Sequence, residues 1–401
     1  MKIAYNLLVT LSLFSFLCGY SQNDKFFFLN EDVSNADKKG LKVYGGATAG
    51  SNSLNTQMYT DVLINPTFTE KGKSAFLDGG HARTNFYASS TWGAKYHKDS
   101  SRHFFVRNNS FQAFSSEKAF SELFFFGNSP FRGQKVSTNG LNYVQANTLS
   151  AGFGFNILNG RKLIIKSSIG FAILENYRQA DAKRLSLYTA TDGSYLDVDF
   201  DNASFVDANS GIQGIGLSSD IRLDFHMNEL NTICFVANNI NGYYLFDNQE
   251  TLIDTSFVFN GASFDIFDTE YSIVNHLDSA YNKTINRNKT TKNTVILPVQ
   301  IKLKWVYKLS PQSSIVSSFE TFSFGKFGMN AQAALLKSHN NNLKTKTGFG
   351  YGNFSGFTWS ESLEYRVNRY SFYLGVNNLQ ALFIPTKTNN YGLSLGLFKQ
   401  L

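Results

Sequence analysis

Residues 299–309 read VQIKLKWVYKL. Val299, Ile301, Leu303, Trp305, Tyr307 and Leu309 fall on one parity, and Gln300, Lys302, Lys304 and Lys308 on the other. Successive side chains of a strand point to opposite faces, so this is a strand with one apolar and one charged face. A second run gives Ile215, Leu217, Ile221, Leu223 and Phe225 against Ser218, Asp220, Arg222, Asp224 and His226. A third sets Phe357, Trp359, Leu363, Tyr365 and Val367 against Thr358, Ser360, Ser362, Glu364 and Arg366. Soluble strands average about five or six residues, whereas a tilted strand crossing a bilayer needs about nine to eleven. These runs have the longer length and carry aromatics near the ends of the apolar face, as the girdles of a membrane barrel do.

Composition agrees. The chain has 401 residues, 42% hydrophobic and 17% charged, with 39 Phe, 20 Tyr, 31 Gly and only 5 Pro. Disorder needs high charge and few aromatics. A polytopic helical protein is excluded by a mean hydropathy of −0.21, and no run past residue 30 approaches the length of a spanning helix. Further strands are expected near 41–64, 82–96, 102–114, 143–156, 161–174, 230–246, 313–324, 327–337, 343–352, 370–378 and 389–399. The total is about fourteen, an even number as in single-chain outer-membrane barrels. Turns such as Ser310-Pro311-Gln312, Asn228-Glu229 and Asn368-Arg369 are short, as expected on the periplasmic side. The fold class is therefore all-β, a transmembrane antiparallel barrel with short helical elements in or near the lumen. Its apolar outer face implies outer-membrane lipid as its surroundings.

The N-terminus points to export. Lys2, an apolar stretch from Leu7 to Leu17 and the small residues Gly19 and Ser21 predict a signal peptide over 1–21. Cys18 follows the large Leu17, where a lipoprotein signal calls for a small residue. Loss of this segment leaves Cys234 as the only cysteine, so no internal disulfide can brace the fold. Residues 22–80 are expected to form a partly stranded, lumenal segment, and 81–401 the barrel, with insertions at 178–210 and 246–293. Within the first insertion, Thr191-Asp192-Gly193 reads as a hairpin turn between two strands beyond the membrane. Two short helices are expected. The first spans 116–126 with Phe120, Leu123 and Phe124 at helical spacing, and the second spans 266–281. A basic loop is expected at 283–292.

The run Phe126-Gly127-Asn128-Ser129-Pro130-Phe131-Arg132-Gly133, then LSLYTATDGSYLDVDFD at 185–201, Gly214-Ile215-Gly216-Leu217 with Asp220, and Leu297-Pro298 occur in order. They resemble a family of Bacteroidota outer-membrane β-barrels without assigned function. A looser similarity is to fatty-acid-transporter-like barrels. The resemblance implies fold and location, and implies neither activity nor catalytic residues.

Asp220, Arg222, Asp224 and His226 are the most polar inward stretch. They fit either a pore constriction or a salt-bridged lining. Lys302, Lys304, Lys308 and Arg366 are their basic counterpart. These read as an attractor of anions or as partners of Asp220, Asp224 and Glu364, the pairing being the stronger expectation. Phe120, Leu123 and Phe124 are candidates for a plug or apolar pocket, or simply for burial of the helix. Catalysis is not indicated: no G-x-S-x-G occurs, and the six His, at 81, 97, 103, 226, 276 and 339, form no metal-binding spacing. GIQGIG (211–216) and GFGYG (348–352) lack the helix that a phosphate loop needs, so no cofactor is implied. The positive charge is spread along the scaffold without a basic stripe, which gives no nucleic-acid surface. Two functions follow as expectations: a passive or gated channel for a small solute or lipid-like ligand, or an accessory subunit of an envelope assembly docking through 246–293.

Overall fold

The structure, a computed structural model, describes residues 39–58, 74, 76, 81–206, 211–246, 249–259, 287–291, 294–322, 328–352 and 356–401. The signal peptide expected over 1–21, the helix expected at 266–281 and most of 52–80 lie outside them. Eighteen strands are formed: β1 (Gly40–Ser51), β2 (Arg83–His97), β3 (Arg102–Glu117), β4 (Lys135–Asn159), β5 (Leu163–Thr189), β6 (Leu196–Val206), β7 (Gly214–His226), β8 (Asn231–Leu245), β9 (Gln249–Phe259), β10 (Arg287–Thr291), β11 (Thr294–Val295), β12 (Gln300–Ser310), β13 (Ser313–Phe322), β14 (Gly328–Ser338), β15 (Leu343–Gly352), β16 (Gly356–Val367), β17 (Tyr370–Val376) and β18 (Asn390–Gln400). Helix α1 covers Lys118–Phe126 and α2 covers Gln380–Phe383.

Fourteen of these strands close a ring. The neighbours run β1-β2-β3-β4-β5-β7-β8-β12 and then in sequence order to β18, which returns to β1 from Gly40↔Gln400 to Gly50↔Asn390. Every neighbour pair is antiparallel, and closure removes the open edge that hydrocarbon cannot tolerate. The fourteen ring strands are those expected from the alternation. The other four lie outside the ring: β5 continues past β7 to pair with β6, β6 pairs with β9, β9 pairs with β10, and β11 adds to the end of β8. β4 and β5 have 25 and 27 residues, more than twice what a bilayer crossing requires, so their far halves form a sheet beyond the barrel. The hairpin expected around Thr191-Asp192-Gly193 joins β5 to β6, with Gly193 at φ 76°, a conformation that suits glycine. Arg287–Thr291, expected as loop, is the strand β10, because β9 offers it a free edge.

Polarity is inverted relative to a soluble protein. In β12, Ile301, Leu303 and Trp305 are 40%, 49% and 45% exposed, while Gln300, Lys302 and Lys304 are 3%, 8% and 4% exposed. The same parity holds in β7 and β16, where Leu217, Phe225, Phe357, Leu363 and Tyr365 face outward and Ser218, Arg222, Asp224, Ser360 and Glu364 are buried. Hydrocarbon, not water, satisfies such an outer face. Leu303→Arg, in the middle of the outer band, is expected to cost about 2–4 kcal/mol, against about 0–1 for Leu309→Arg at its end. Denaturant unfolding from detergent or lipid measures both.

Glycine and aromatic residues interlock across β1 and β2. Tyr44 stands opposite Gly93, and Gly45 opposite Trp92. A Cβ on Gly93 would lie 2.7 Å from the Tyr44 hydroxyl and the Val106 carbonyl. Tyr44 thus covers one glycine inside the wall and Trp92 the other outside it, which pins the register of β1 on β2.

Candidate functional site

The lumen has two levels. In the half nearer the short turns, the inward parity of β3, β7, β15 and β16 delivers charged side chains. Arg222 Nε donates to Asp224 Oδ1 at 2.8 Å and Oδ2 at 2.9 Å. Lys344 pairs with Glu364 at 3.9 Å, and Arg366 with Glu364 at 3.5 Å. Between β17 and β3 this half is filled by aromatic groups: Tyr44, Tyr373 and Phe398 cluster, and the His97 and His103 rings lie 5.5 Å apart.

The half nearer the long loops holds the Lys302–Glu320 pair, at 3.8 Å, and a group of apolar side chains. Ala146, Leu174, Tyr177, Tyr243, Val295 and Leu297 belong to one buried cluster. Above it, Phe120 and Leu123 of α1 pack with Val136, Leu141, Phe200 and Ile253. These two candidates for a plug are therefore anchors that fix the helix to the sheet extension. The Phe124 side chain lies outside the described residues.

Asp220 joins the two levels. Its Oδ2 accepts from Arg107 Nη1 at 2.8 Å and from Ser168 Oγ at 3.1 Å, and its Oδ1 accepts from the Asn239 backbone N–H at 2.9 Å. Arg107 also donates to Ser218 Oγ at 3.1 Å. One carboxylate thus binds groups from β3, β5 and β8. Asn239 lies at φ 57° where the β7–β8 register shifts by one residue. Such a bulge frees an N–H from the ladder, and Asp220 satisfies it.

On the other side of β8 the wall is interrupted. Val295 pairs with Tyr243 and Gln300 with Asn238, but no ladder pair joins 239–242 to 296–299. Pro298 has no N–H to offer, and Leu297 N–H donates to the Asn241 side chain at 3.0 Å instead. Leu297 turns inward at 7% exposure while Ile296 turns outward at 75%. Behind this seam is a cavity of about 30 Å³ lined by Asn109, Thr148, Ser218, Asn239, Tyr243 and Leu297, among others.

Of the residues singled out from sequence, Asp220, Arg222, Asp224, Lys302, Lys304, Glu364 and Arg366 all have inward parity in the ring. His226 lies at the end of β7, its Nδ1 3.0 Å from Thr232 Oγ1. Lys308 is exposed at the end of β12 beside the short turn, because the strand outruns the lumen there. The expected pairing of Arg366 with Glu364 is formed, and for Asp220, Asp224 and Lys302 the partners are corrected. Asp220 pairs with Arg107, Asp224 with Arg222, and Lys302 with Glu320, since strand order puts these groups nearer. Arg107, Glu320, Lys344 and Lys346 were not singled out. Their parity within HFFVRNNSF, SSIVSSFETF and LKTKTGFGYG is the signal that marks them as inward.

No family model matches the chain, and no curated protein is similar to it. Among solved structures, the fold is similar to a mutant of the monoaromatic hydrocarbon channel TodX, with a TM-score of 0.47, 8% identity and 96% of each chain covered. It is also similar to the toluene transporter TbuX of Ralstonia pickettii, with a TM-score of 0.44, 8% identity, and 91% of this chain and 90% of that one covered. A FadL homologue of Pseudomonas aeruginosa gives 0.44 and 10% identity, with the same coverage. The likeness is one of barrel architecture, and the functional reading rests on the residues inside this barrel.

Proposed function

We propose that this chain is an outer-membrane barrel of a Gram-negative envelope, exported by its signal peptide, that passes a small or lipid-like solute through a gated lumen. It acts without catalysis or a cofactor, and it belongs with the Bacteroidota barrels whose motifs it resembles. The observation that carries this reading is the filling of the lumen. The lumen holds the ion pairs Arg222–Asp224 and Lys302–Glu320 beside an interrupted wall seam at β8 and β12. Hydrated charges inside a barrel set passage and selectivity. The apolar cluster above the charged belt offers the body of a lipid-like solute a place, and the seam lies between that cluster and the bilayer.

The test is current through the purified protein in a planar bilayer. Brief, small openings are expected from the intact chain. Larger and longer ones are expected from the double variant Arg222→Ser, Asp224→Ser, which removes both partners of a belt pair and strands neither charge. A variant lacking 116–126 is expected to stay open if α1 closes the wide mouth. Silence of all three, from protein shown to be folded, rejects the channel reading. The sheet of β5, β6, β9 and β10 beyond the barrel supports the second reading, a docking subunit for envelope proteins through this extension and 246–293. Silence in the bilayer together with a stable partner complex would favour it.

A further inference from the structure

The short-turn rim of the barrel is most densely basic along one arc. The arc runs from the β16–β17 turn through β18, β1 and the β2–β3 turn to the β4–β5 turn, all neighbours in the ring. It carries Arg369, Lys399, Lys98, Arg102, Arg161 and Lys162, every one of them exposed. One described carboxylate side chain stands among them, Asp99, and Arg102 already holds it at 2.6 Å. The other five make no ion pair with a carboxylate among the described residues. Beyond the arc, the β7–β8 turn carries Glu229, and Lys308 and Lys337 stand singly at the ends of β12 and β14.

The neighbours of these cations fix their depth. Arg102 continues the outward parity of Phe104 and Val106, and Lys399 that of Leu395 and Leu397, all four exposed on the apolar belt. The Lys399 ammonium lies 5.8 Å from the centre of the Tyr370 ring, which stands opposite it in the ladder and also faces outward. Long basic side chains that leave their stems on an apolar belt and carry their charge to its edge lie at the level of lipid headgroups. A cluster of cations at that level attracts anionic headgroups. Charges meant for a soluble partner would point away from the bilayer, whereas Arg102 and Lys399 extend the face that meets lipid.

We propose that this arc binds the phosphate groups of anionic phospholipids in the leaflet on the short-turn side. Lys98, Arg102, Arg161, Lys162, Arg369 and Lys399 supply the charge, and the belt above them receives the acyl chains. The barrel thereby selects part of its own lipid shell. This requires the barrel in a bilayer and does not depend on passage of a solute.

The test compares spin-labelled phosphatidylglycerol with spin-labelled phosphatidylcholine around the full chain in phosphatidylcholine bilayers. The motionally restricted part of the spectrum reports lipid held at the protein surface. The intact chain is expected to favour phosphatidylglycerol about fivefold or more, the scale of one cation near an anionic surface. Added salt should reduce the preference, because exposed charges are screened. The variant Lys98→Gln, Arg161→Gln, Lys399→Gln should lose about half of it or more, since each removed cation carries a share. Lys308→Gln, Lys337→Gln, outside the arc, should keep most of it. Equal association of the two lipids with folded, intact protein overturns the proposal and leaves the arc to an acidic soluble partner. A preference that ignores salt, or that survives in the triple variant, also overturns it.

Discussion

Asp220→Ala is expected to lower the unfolding free energy by about 3 kcal/mol, measured from the denaturant midpoint in detergent. The change leaves Arg107, whose side chain is 5% exposed, as a buried cation without its carboxylate, and breaking such a pair from one side costs about 3–5 kcal/mol. It also removes the acceptor of the Asn239 N–H at the β8 bulge, a partly buried donor left unmatched. The Asp220 side chain is 21% exposed, so some water relaxation holds the effect near the lower end. Asp220→Asn keeps an acceptor oxygen for Asn239 and a neutral partner for Arg107, and it should lose less than half as much. Equal losses in the two variants would mean that the charge of Asp220 does not matter. A loss below about 1 kcal/mol in Asp220→Ala would mean that the network is incidental.

Gly152→Val should prevent closure of the barrel or destabilise it by about 3 kcal/mol or more, at the upper end of overpacking costs. Gly152 and Gly170 face each other across the β4–β5 ladder. A Cβ on Gly152 would run into the Ile169 carbonyl and the Gly170 Cα, which are backbone atoms with no rotamer to change. A Cβ on Gly170 would meet the Phe105 ring at 2.9 Å, so the space above this glycine pair is already filled by an aromatic side chain. Relief would require the two longest strands to part. Gly242→Ala is the control, because a Cβ there has nothing within 4 Å and the change should be close to neutral. Folded yield and denaturant midpoint report both, and a well-folded Gly152→Val protein would contradict this packing.

Strand parity made the ring legible in the sequence. Residues 299–309 alone predict which side chains meet lipid, and the exposures of Leu303 and Lys304 agree with that prediction. The helix expected over 116–126 is formed as Lys118–Phe126. Strand lengths were less legible: the expected 143–156 and 161–174 extend to Lys135–Asn159 and Leu163–Thr189. Asn139-Gly140 falls outside the expected strands, and 178–184 belongs to the 178–210 insertion expected to run beyond the membrane. They are held in strand by pairing with each other and with β6, a tertiary effect invisible to a local window. Partner choice was least legible. Arg107 and Asp220 are separated by 113 residues and meet because β3 and β7 line one lumen, which depends on strand order and shear rather than on either segment. The β8–β12 seam had only the faint trace of Pro298 in an otherwise alternating run.

Site-directed spin labelling along β12 tests the inverted barrel most directly. Labels would be placed one at a time at residues 300–305 in a Cys234→Ser background, with the protein in lipid bilayers. Access of oxygen, which partitions into hydrocarbon, should peak at positions 301, 303 and 305 and fall at 300, 302 and 304. A water-soluble nickel complex should fail to reach the odd positions. Oxygen access peaking at the even positions, or showing no period of two, would contradict the account.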